Sequence, residues 1–275
     1  MLSFSLNIYF FPIHRTDALA QEQRFNVSYG PDHEQVLDLY IPESNGTSNS
    51  KVIVIIHGGS WSGGKKEDMN EFLGFLQTAF PNYPIANINY RLGNASSPGY
   101  PKQIQDVDRA LKFIESELQL NSSQFALFGG SAGAHLYLSM LYAYGFDPNG
   151  TVKAVVDVVG PVDFTDPLVS LNILYNKMLF SLIGPYFYLQ NPKIYKEVSP
   201  VAYITCKSPP TIGFYGITDP LIPINQGPIL KRKLTKVGVA NELNMYFGGH
   251  YFDWSDNDKK QMQTKIVNFL KVHFE

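Results

Sequence analysis

Cysteine is almost absent from this chain of 275 residues, which contains only Cys206. A single thiol excludes an internal disulfide framework and a cluster of cysteine ligands around a metal. The sequence also has no H-x-x-H or H-E-x-x-H pattern, and no acidic loop with the spacing of a calcium site. The glycine-rich residues 58–66 do not match G-x-x-x-x-G-K-[ST], the pattern of a phosphate-binding loop. We therefore expect no metal and no cofactor.

The sequence has no marked excess of positive or negative charge, and it has no long apolar runs. Lysine and arginine number 22, aspartate and glutamate number 24, and the net charge is −2. This balance provides no basic surface for nucleic acid or an anionic membrane, so we expect neither as a partner. No apolar run reaches the ~20 residues that cross a bilayer. Apolar residues still make up 44% of the chain, which suffices for the core of one large domain.

The first twenty residues leave two alternatives open. Residues 2–13 are apolar, and the ALA at 18–20 is similar to the small-residue site at which signal peptides are cleaved. A signal peptide begins with a cation, whereas Arg15 follows the apolar stretch here. Either residues 1–20 are a signal-like segment of an exported protein, periplasmic or secreted, or the protein is cytoplasmic. Residues 21–275 form the predicted domain.

Strand and helix patterns alternate along this domain. After a hairpin predicted over 25–41, with Asp38 facing outward, apolar runs typical of buried strands occur at 51–56 and 85–88. Further strands are predicted at 154–159, 211–215 and 242–246. Helical spacing of apolar residues predicts helices at 68–80, 103–120, 225–236 and 259–272. This alternation favours a mostly parallel sheet covered on both faces, with its ligand site at the carboxyl ends of the strands.

The most informative stretch is 125–140, FALFGGSAGAHLYLSM, in which a short apolar run turns into a helix. The GGSAG at 129–133 places a G-x-S-x-G at this predicted strand-to-helix turn. Such a turn holds its serine in strained backbone geometry, and the two outer glycines let neighbouring backbone approach closely. Ser131 is therefore the candidate nucleophile, beside the positive end of a helix. The alternative is a glycine-rich loop whose serine only caps the helix.

Five short motifs follow the predicted strands: HGGSW at 57–61, NYRL at 89–92, GGSAGAH at 129–135, GITDP at 216–220 and GGHYF at 248–252. Their order resembles that of the α/β-hydrolase fold. The resemblance is strongest to small esterases with an H-G-G-x-W box, which include hormone-sensitive-lipase-like carboxylesterases, feruloyl and acetylxylan esterases, and kynurenine formamidases. It covers residues 35–275 and implies a mostly parallel eight-stranded sheet flanked by helices, with a cap-like insertion at about 166–200.

A serine hydroxyl needs a base within hydrogen-bond reach, and the base needs an acid that orients it. His250 is the best base of the six histidines because it follows the last predicted strand in a glycine loop. Asp219 is the best acid because it follows strand 211–215, and the order Ser131, Asp219, His250 is that of nucleophile, acid and base in this fold. A turn aspartate before proline is the plain alternative for Asp219. Three rivals for the acid remain: Asp157, Asp163 and Asp253.

The tetrahedral intermediate of acyl transfer carries a negative oxygen, which preorganised N–H groups must meet. One donor is the backbone N–H of Ala132, and the resemblance implies that Gly59 and Ser60 supply the others. Ser60 stands where the H-G-G-G pattern has its third glycine, but a backbone donor does not depend on its side chain. The resemblance also implies that His57 braces this loop by hydrogen bonding. We expect His135 to pack behind the candidate nucleophile.

Residues 166–190 are apolar and aromatic without strand alternation, so we expect a mostly helical excursion over the sheet. They form either a cap that shapes an apolar acyl or aryl pocket, or a segment simply packed on the domain. The function predicted is a cofactor-independent serine hydrolase that cleaves small carboxylic esters, short-chain acyl or aryl, through an acyl-enzyme. A formamidase, amidase or peptidase with the same residues is one alternative, and an inactive binding module of this fold is another.

Overall fold

The computed structural model describes residues 21–43, 51–120, 122–144, 147, 149–250 and 253–275. The signal-like segment predicted at 1–20 lies outside these residues. Within the ranges described, no helix is both long and apolar enough to cross a membrane.

Eight strands form a single sheet. They are β1 (Gln21–Ser28), β2 (Val36–Pro42), β3 (Lys51–Ile56), β4 (Ile85–Ile88), β5 (Gln124–Gly130), β6 (Val152–Val158), β7 (Thr211–Gly216) and β8 (Asn241–Tyr246). Their spatial order is β1-β2-β4-β3-β5-β6-β7-β8. Strand β2 is antiparallel to both of its neighbours, and every pair from β4 to β8 is parallel. The prediction of a mostly parallel, eight-stranded sheet is confirmed.

Helices cover both faces of the sheet. They are α1 (Asn70–Ala79), α2 (Lys102–Glu117), α3 (Ala132–Tyr142), α4 (Pro167–Ser170), α5 (Ile173–Met178), α6 (Phe180–Ile183), α7 (Pro192–Glu197), α8 (Gln226–Lys236) and α9 (Asp256–His273). Helices α2, α3 and α8 pack on one face together with the segment between β6 and β7, and α1 and α9 pack on the other. The candidate site lies at the carboxyl ends of the parallel strands, where β5 ends just before Ser131 and β7 ends shortly before Asp219.

The continuous apolar run of β3 follows from its central position. Val52, Val54 and Ile56 belong to the core beneath α2 and α3, whereas Ile53 and Ile55 belong to the core beneath α1 and α9. Because side chains alternate along a strand, a strand that is buried on both faces must be apolar at consecutive positions.

Asp38 of β2 corrects one expectation, because it does not face outward to solvent. Its side chain is buried, lies 3.1 Å from Nζ of Lys66, and accepts a hydrogen bond from the N–H of Asn26 at 2.8 Å. Lys66 begins the 3-10 turn that leads into α1 and covers this face of the sheet. A buried carboxylate is tolerated when it is paired in this way.

Candidate active site

Ser131 occupies the sharp turn between β5, which ends at Gly130, and α3, which begins at Ala132. Its backbone angles are φ 52° and ψ −119°. A residue other than glycine pays about 1–3 kcal/mol for such a conformation, which persists only where surrounding contacts impose it. One such contact is the hydrogen bond from the N–H of Ser131 to the carbonyl of Val158 in β6, at 2.8 Å.

The glycines that flank this turn are required by close packing, as the sequence predicts. A Cβ on Gly129 would lie 2.6 Å from the ring of Tyr137. A Cβ on Gly133 would lie 2.3 Å from the carbonyl oxygen of Ile56 in β3. Both distances are too short for real side chains, so the first turn of α3 packs against the sheet only because these positions are glycine.

The three residues predicted to act together lie in hydrogen-bond contact. Nε2 of His250 is 2.9 Å from Oγ of Ser131, and Nδ1 of His250 is 2.8 Å from Oδ2 of Asp219. The other carboxylate oxygen of Asp219 accepts hydrogen bonds from the N–H groups of Leu221 and Ile222, at 2.7 and 2.8 Å. A hydroxyl, imidazole and carboxylate in this order can pass the serine proton to Nε2 while the carboxylate holds Nδ1–H.

The loop that carries His250 is held from two sides. Asp253, one of the rival acids, accepts a hydrogen bond from the N–H of Gly249 at 2.5 Å. The N–H of Thr218 donates to the carbonyl of Gly248 at 3.1 Å, which joins this loop to the one carrying Asp219. These contacts hold the two loops, which follow different strands, so that the imidazole of His250 stays beside the carboxylate of Asp219.

The other two rival aspartates, Asp157 and Asp163, accept hydrogen bonds from groups in or near their own turns. Asp157 lies inside β6, where it accepts hydrogen bonds from the hydroxyl of Tyr215 at 2.5 Å and the N–H of Gly160 at 2.9 Å. Burial raises the pKa of this carboxyl to about 7. Asp163 accepts from both the N–H and the hydroxyl of Thr165. Both contacts are those of structural aspartates that hold turns.

The HGGSW segment at 57–61, called the glycine box below, follows β3 and lies directly against Ser131. A Cβ on Gly58 would be 3.0 Å from the carbonyl oxygen of Gly130 and 3.2 Å from Cβ of Ser131. The next residues turn away from the strand through left-handed conformations, with φ 116° at Gly59 and 51° at Ser60. Their backbone N–H groups and that of Ala132 thus belong to segments that meet at Ser131.

His57 braces this loop, as expected from the sequence. Its Nδ1–H donates to the carbonyl of Gly58 at 2.6 Å, and its ring stacks on Tyr90 with the centroids 4.3 Å apart. The hydroxyl of Tyr90 donates to the carbonyl of His57 at 2.9 Å. Burial lowers the pKa of His57 to about 4, so the ring is neutral at physiological pH.

A second buried network behind the loop was missed by sequence reasoning. The indole N–H of Trp61 donates to Nδ1 of His135 at 3.1 Å, and Nε2–H of His135 donates to the carbonyl of Val198 at 2.8 Å. Burial lowers the pKa of His135 to about 4. The sequence predicts that His135 packs behind the nucleophile, but no pattern pairs it with a tryptophan 74 positions away.

Residues 166–190 are largely helical, as predicted, and comprise α4, α5 and α6. The segment is packed on the domain through fully buried side chains such as Val169, Leu179 and Leu182. Its outer side exposes Leu171 and Leu174, at 64% and 78%. The hydroxyl of Ser181 in α6 donates to the carbonyl of Ser60, at 3.0 Å, so this segment contacts the glycine box.

Among the residues that the structure describes, no group of three or more histidine, cysteine, aspartate or glutamate side chains is arranged to hold a metal ion. The polar side chains that meet at this turn are the hydroxyl of Ser131, the imidazole of His250 and the carboxylate of Asp219.

Comparison with known proteins places the chain in a family. A profile of the BD-FAE family matches residues 37–234. Esterase LipC of Mycobacterium tuberculosis is 26% identical over 247 residues, which are 85% of this chain and 60% of that protein. Esterase LipQ of the same organism is 26% identical over 269 residues, which are 91% of this chain and 62% of that protein. The chain therefore spans less than two thirds of the length of these relatives.

A likeness to solved structures agrees with this placement. The truncated form of a carbohydrate esterase from gut microbiota superposes with a TM-score of 0.74 at 22% identity, over 93% of this chain and 97% of that one. At this identity the likeness concerns the fold. Since the family profile covers most of the chain, this protein belongs to the BD-FAE family and has the α/β-hydrolase fold.

Proposed function

We propose that this protein is a serine hydrolase that cleaves small carboxylic esters, short-chain acyl or aryl, through an acyl-enzyme. The observation that carries the proposal is the continuous chain of contacts from Ser131 through His250 to Asp219, at 2.9 and 2.8 Å. The family and the two relatives named as esterases support an ester as the substrate.

In the first half of the reaction, Oγ of Ser131 bonds to the carbonyl carbon of the ester while its proton moves to Nε2 of His250. Asp219 accepts Nδ1–H throughout, which holds the tautomer and stabilises the imidazolium that forms. The other carboxylate oxygen of Asp219 accepts hydrogen bonds from two backbone N–H groups, which fix the orientation of the carboxylate.

The former carbonyl oxygen becomes negative in this step, and the N–H groups of Ala132, Gly59 and Ser60 are the proposed donors to it. The intermediate collapses when the carbon–oxygen bond to the alcohol breaks, and the alcohol leaves with the proton from His250. A water molecule, deprotonated by His250, then attacks the acyl-enzyme and restores Ser131.

In the same proposal, residues 21–275 form one hydrolase domain, and the segment at about 166–200 is its cap-like insertion. The apolar side chains of this segment suit a wall for an uncharged acyl or aryl group. Its contact with the glycine box supports a place close to the reacting carbonyl.

The test is a panel of substrates, each assayed with wild type, Ser131→Ala and Ser139→Ala. The panel contains p-nitrophenyl acetate, butyrate and decanoate, a feruloyl ester and N-formylkynurenine. Ser139 is the matched control because its hydroxyl also lies close to a histidine nitrogen, 3.1 Å from Nε2 of His135. We expect ester turnover that Ser131→Ala abolishes and Ser139→Ala preserves.

If the protein turned over N-formylkynurenine faster than the esters, the proposed substrate class would change from an ester to an amide. Absence of turnover that depends on Ser131 on any substrate would reject catalysis and favour a binding module.

A further inference from the structure

The loop proposed to bind the oxyanion has a backbone that its own residues do not favour. Gly59, Ser60 and Trp61 have φ values of 116°, 51° and 63° in succession. Left-handed conformations are ordinary for glycine and unfavourable for serine and tryptophan. A run of this kind persists only where other parts of the molecule hold it.

The carbonyl of Gly59 accepts hydrogen bonds from the N–H groups of Ser62 and Gly63 within the loop, and the next two carbonyls show which other segments hold it. The carbonyl of Trp61 accepts hydrogen bonds from the N–H of Gly93 and the side-chain amide of Gln103, both at 2.7 Å. The carbonyl of Ser60, at the centre of the run, accepts one from the hydroxyl of Ser181, at 3.0 Å. Gly93 and Gln103 belong to the body of the domain, and Ser181 belongs to the insertion between β6 and β7.

Ser181 is itself held in place by the body of the domain. Its carbonyl accepts a hydrogen bond from the N–H of Gly99, and the carbonyl of Leu182 accepts one from Tyr100, both at 2.8 Å. A Cβ on Gly93 would lie only 2.1 Å from the carbonyl oxygen of Ser181. The hydroxyl of Ser181 also lies 2.9 Å from the carbonyl of Met178, one turn earlier, so its proton is shared between two acceptors.

We propose that Ser181 is a positioning residue for the oxyanion loop, through the hydrogen bond from its hydroxyl to the carbonyl of Ser60. This inference rests on the function proposed above and assigns a second task to the insertion. The bond holds the carbonyl of the peptide that joins Ser60 to Trp61, next to the peptide that carries the N–H of Ser60, and so limits backbone rotation at Ser60. Since those donors act on charge that develops in the transition state, the effect falls on kcat rather than on KM.

The experiment compares Ser181→Ala with Ser170→Ala on the best p-nitrophenyl ester. Ser170 is a buried serine of the same insertion whose hydroxyl bonds to the carbonyl of Thr165, within its own segment. We expect kcat to fall about tenfold in Ser181→Ala, less than the 10²–10³ that follows direct loss of a donor. KM and the pH profile stay within twofold of wild type, and Ser170→Ala matches wild type.

Two further readouts separate positioning from a merely structural role. Affinity for a trifluoromethyl ketone, which forms a tetrahedral adduct with the nucleophile, should fall by the same factor as kcat in Ser181→Ala. Ser181→Thr, which keeps the hydroxyl, should recover most of the lost kcat. Ser181→Cys, a weak donor of similar size, is the second variant should the alanine variant fold poorly.

Two results would overturn the proposal: a kcat in Ser181→Ala within twofold of wild type, or an equal loss in Ser170→Ala. In both cases turnover by the wild type that depends on Ser131 leaves the proposed function standing. Wild-type protein without such turnover would reject the function and this inference together.

Discussion

Two histidines among the described residues each lie beside a serine, and the proposed function assigns the role of base to only one of them. Nε2 of His250 is 2.9 Å from the hydroxyl of Ser131, and Nε2 of His135 is 3.1 Å from that of Ser139. The difference lies at both ring nitrogens, because Nε2 of His135 already carries a proton that it donates to the carbonyl of Val198. Nδ1 of His250 faces the carboxylate of Asp219, which stabilises a positive ring, whereas Nδ1 of His135 accepts the indole N–H of Trp61.

The two histidine–serine pairs also differ in how deeply they are buried. His135 has no exposed surface, and burial lowers its pKa to about 4. Ser139 lies inside the regular helix α3 and is 1% exposed, whereas Ser131 is half-buried in the strained turn before that helix. A neighbouring hydroxyl therefore does not distinguish the two histidines; a carboxylate partner and a partly exposed serine do.

Replacing the carboxylate of Asp219 should give the largest effect, because this group distinguishes the surroundings of His250 from those of His135. In Asp219→Asn the amide cannot stabilise the imidazolium or hold the correct tautomer, so we expect kcat to fall by roughly 10⁴. The measurement is kcat on the best ester, with Asp163→Asn as the control, because the carboxylate of Asp163 accepts hydrogen bonds from Thr165 in its own turn. A near-wild-type rate in Asp219→Asn would move the acid role to another aspartate.

Removing the second histidine should affect stability instead of chemistry. In His135→Leu the buried N–H of Trp61 and the carbonyl of Val198 lose their partner, so we expect a loss of about 2 kcal/mol in the free energy of unfolding. Urea unfolding at pH 8 measures this loss. The pH profile of kcat/KM should keep its midpoint.

The pH dependence of unfolding sharpens the same prediction. Because the folded pKa of His135 is lowered to about 4, the unfolded chain takes up a proton at higher pH than the folded one. The stability of the wild type therefore falls as the pH drops from about 6.5 towards 4. The leucine variant has no imidazole at this position and lacks this pH dependence. The difference in the free energy of unfolding between the two proteins should therefore narrow on acidification. A gap that widens would contradict the assignment of a neutral, structural His135.

The parts of this molecule that the sequence predicts are those encoded locally. The alternating burial of β3 requires a continuous apolar run, and the turn at Ser131 requires its flanking glycines, so both leave a readable pattern. Motifs that directly follow parallel strands converge at one edge of the sheet, which is why Ser131, Asp219 and His250 could be named together.

The parts that the sequence does not predict depend on contacts between distant segments. Asp38 is buried because Lys66 reaches it from the 3-10 turn before α1, and its own strand shows only a charged residue between leucines. The bond from Ser181 to Ser60 joins residues 121 positions apart, and neither belongs to a pattern that names the other. Such pairings follow from tertiary packing and leave no periodic signal in the chain.

The most direct test of the account is covalent labelling with a p-nitrophenyl phosphonate, followed by peptide mass mapping. The reagent forms a stable bond to an activated serine and releases p-nitrophenol, so the labelled peptide identifies the nucleophile. The account predicts one phosphonyl group per chain, on Ser131, with no label on Ser139 and none on the Ser131→Ala protein. Label on a different serine, or an unlabelled wild-type protein under conditions of full ester turnover, would contradict it.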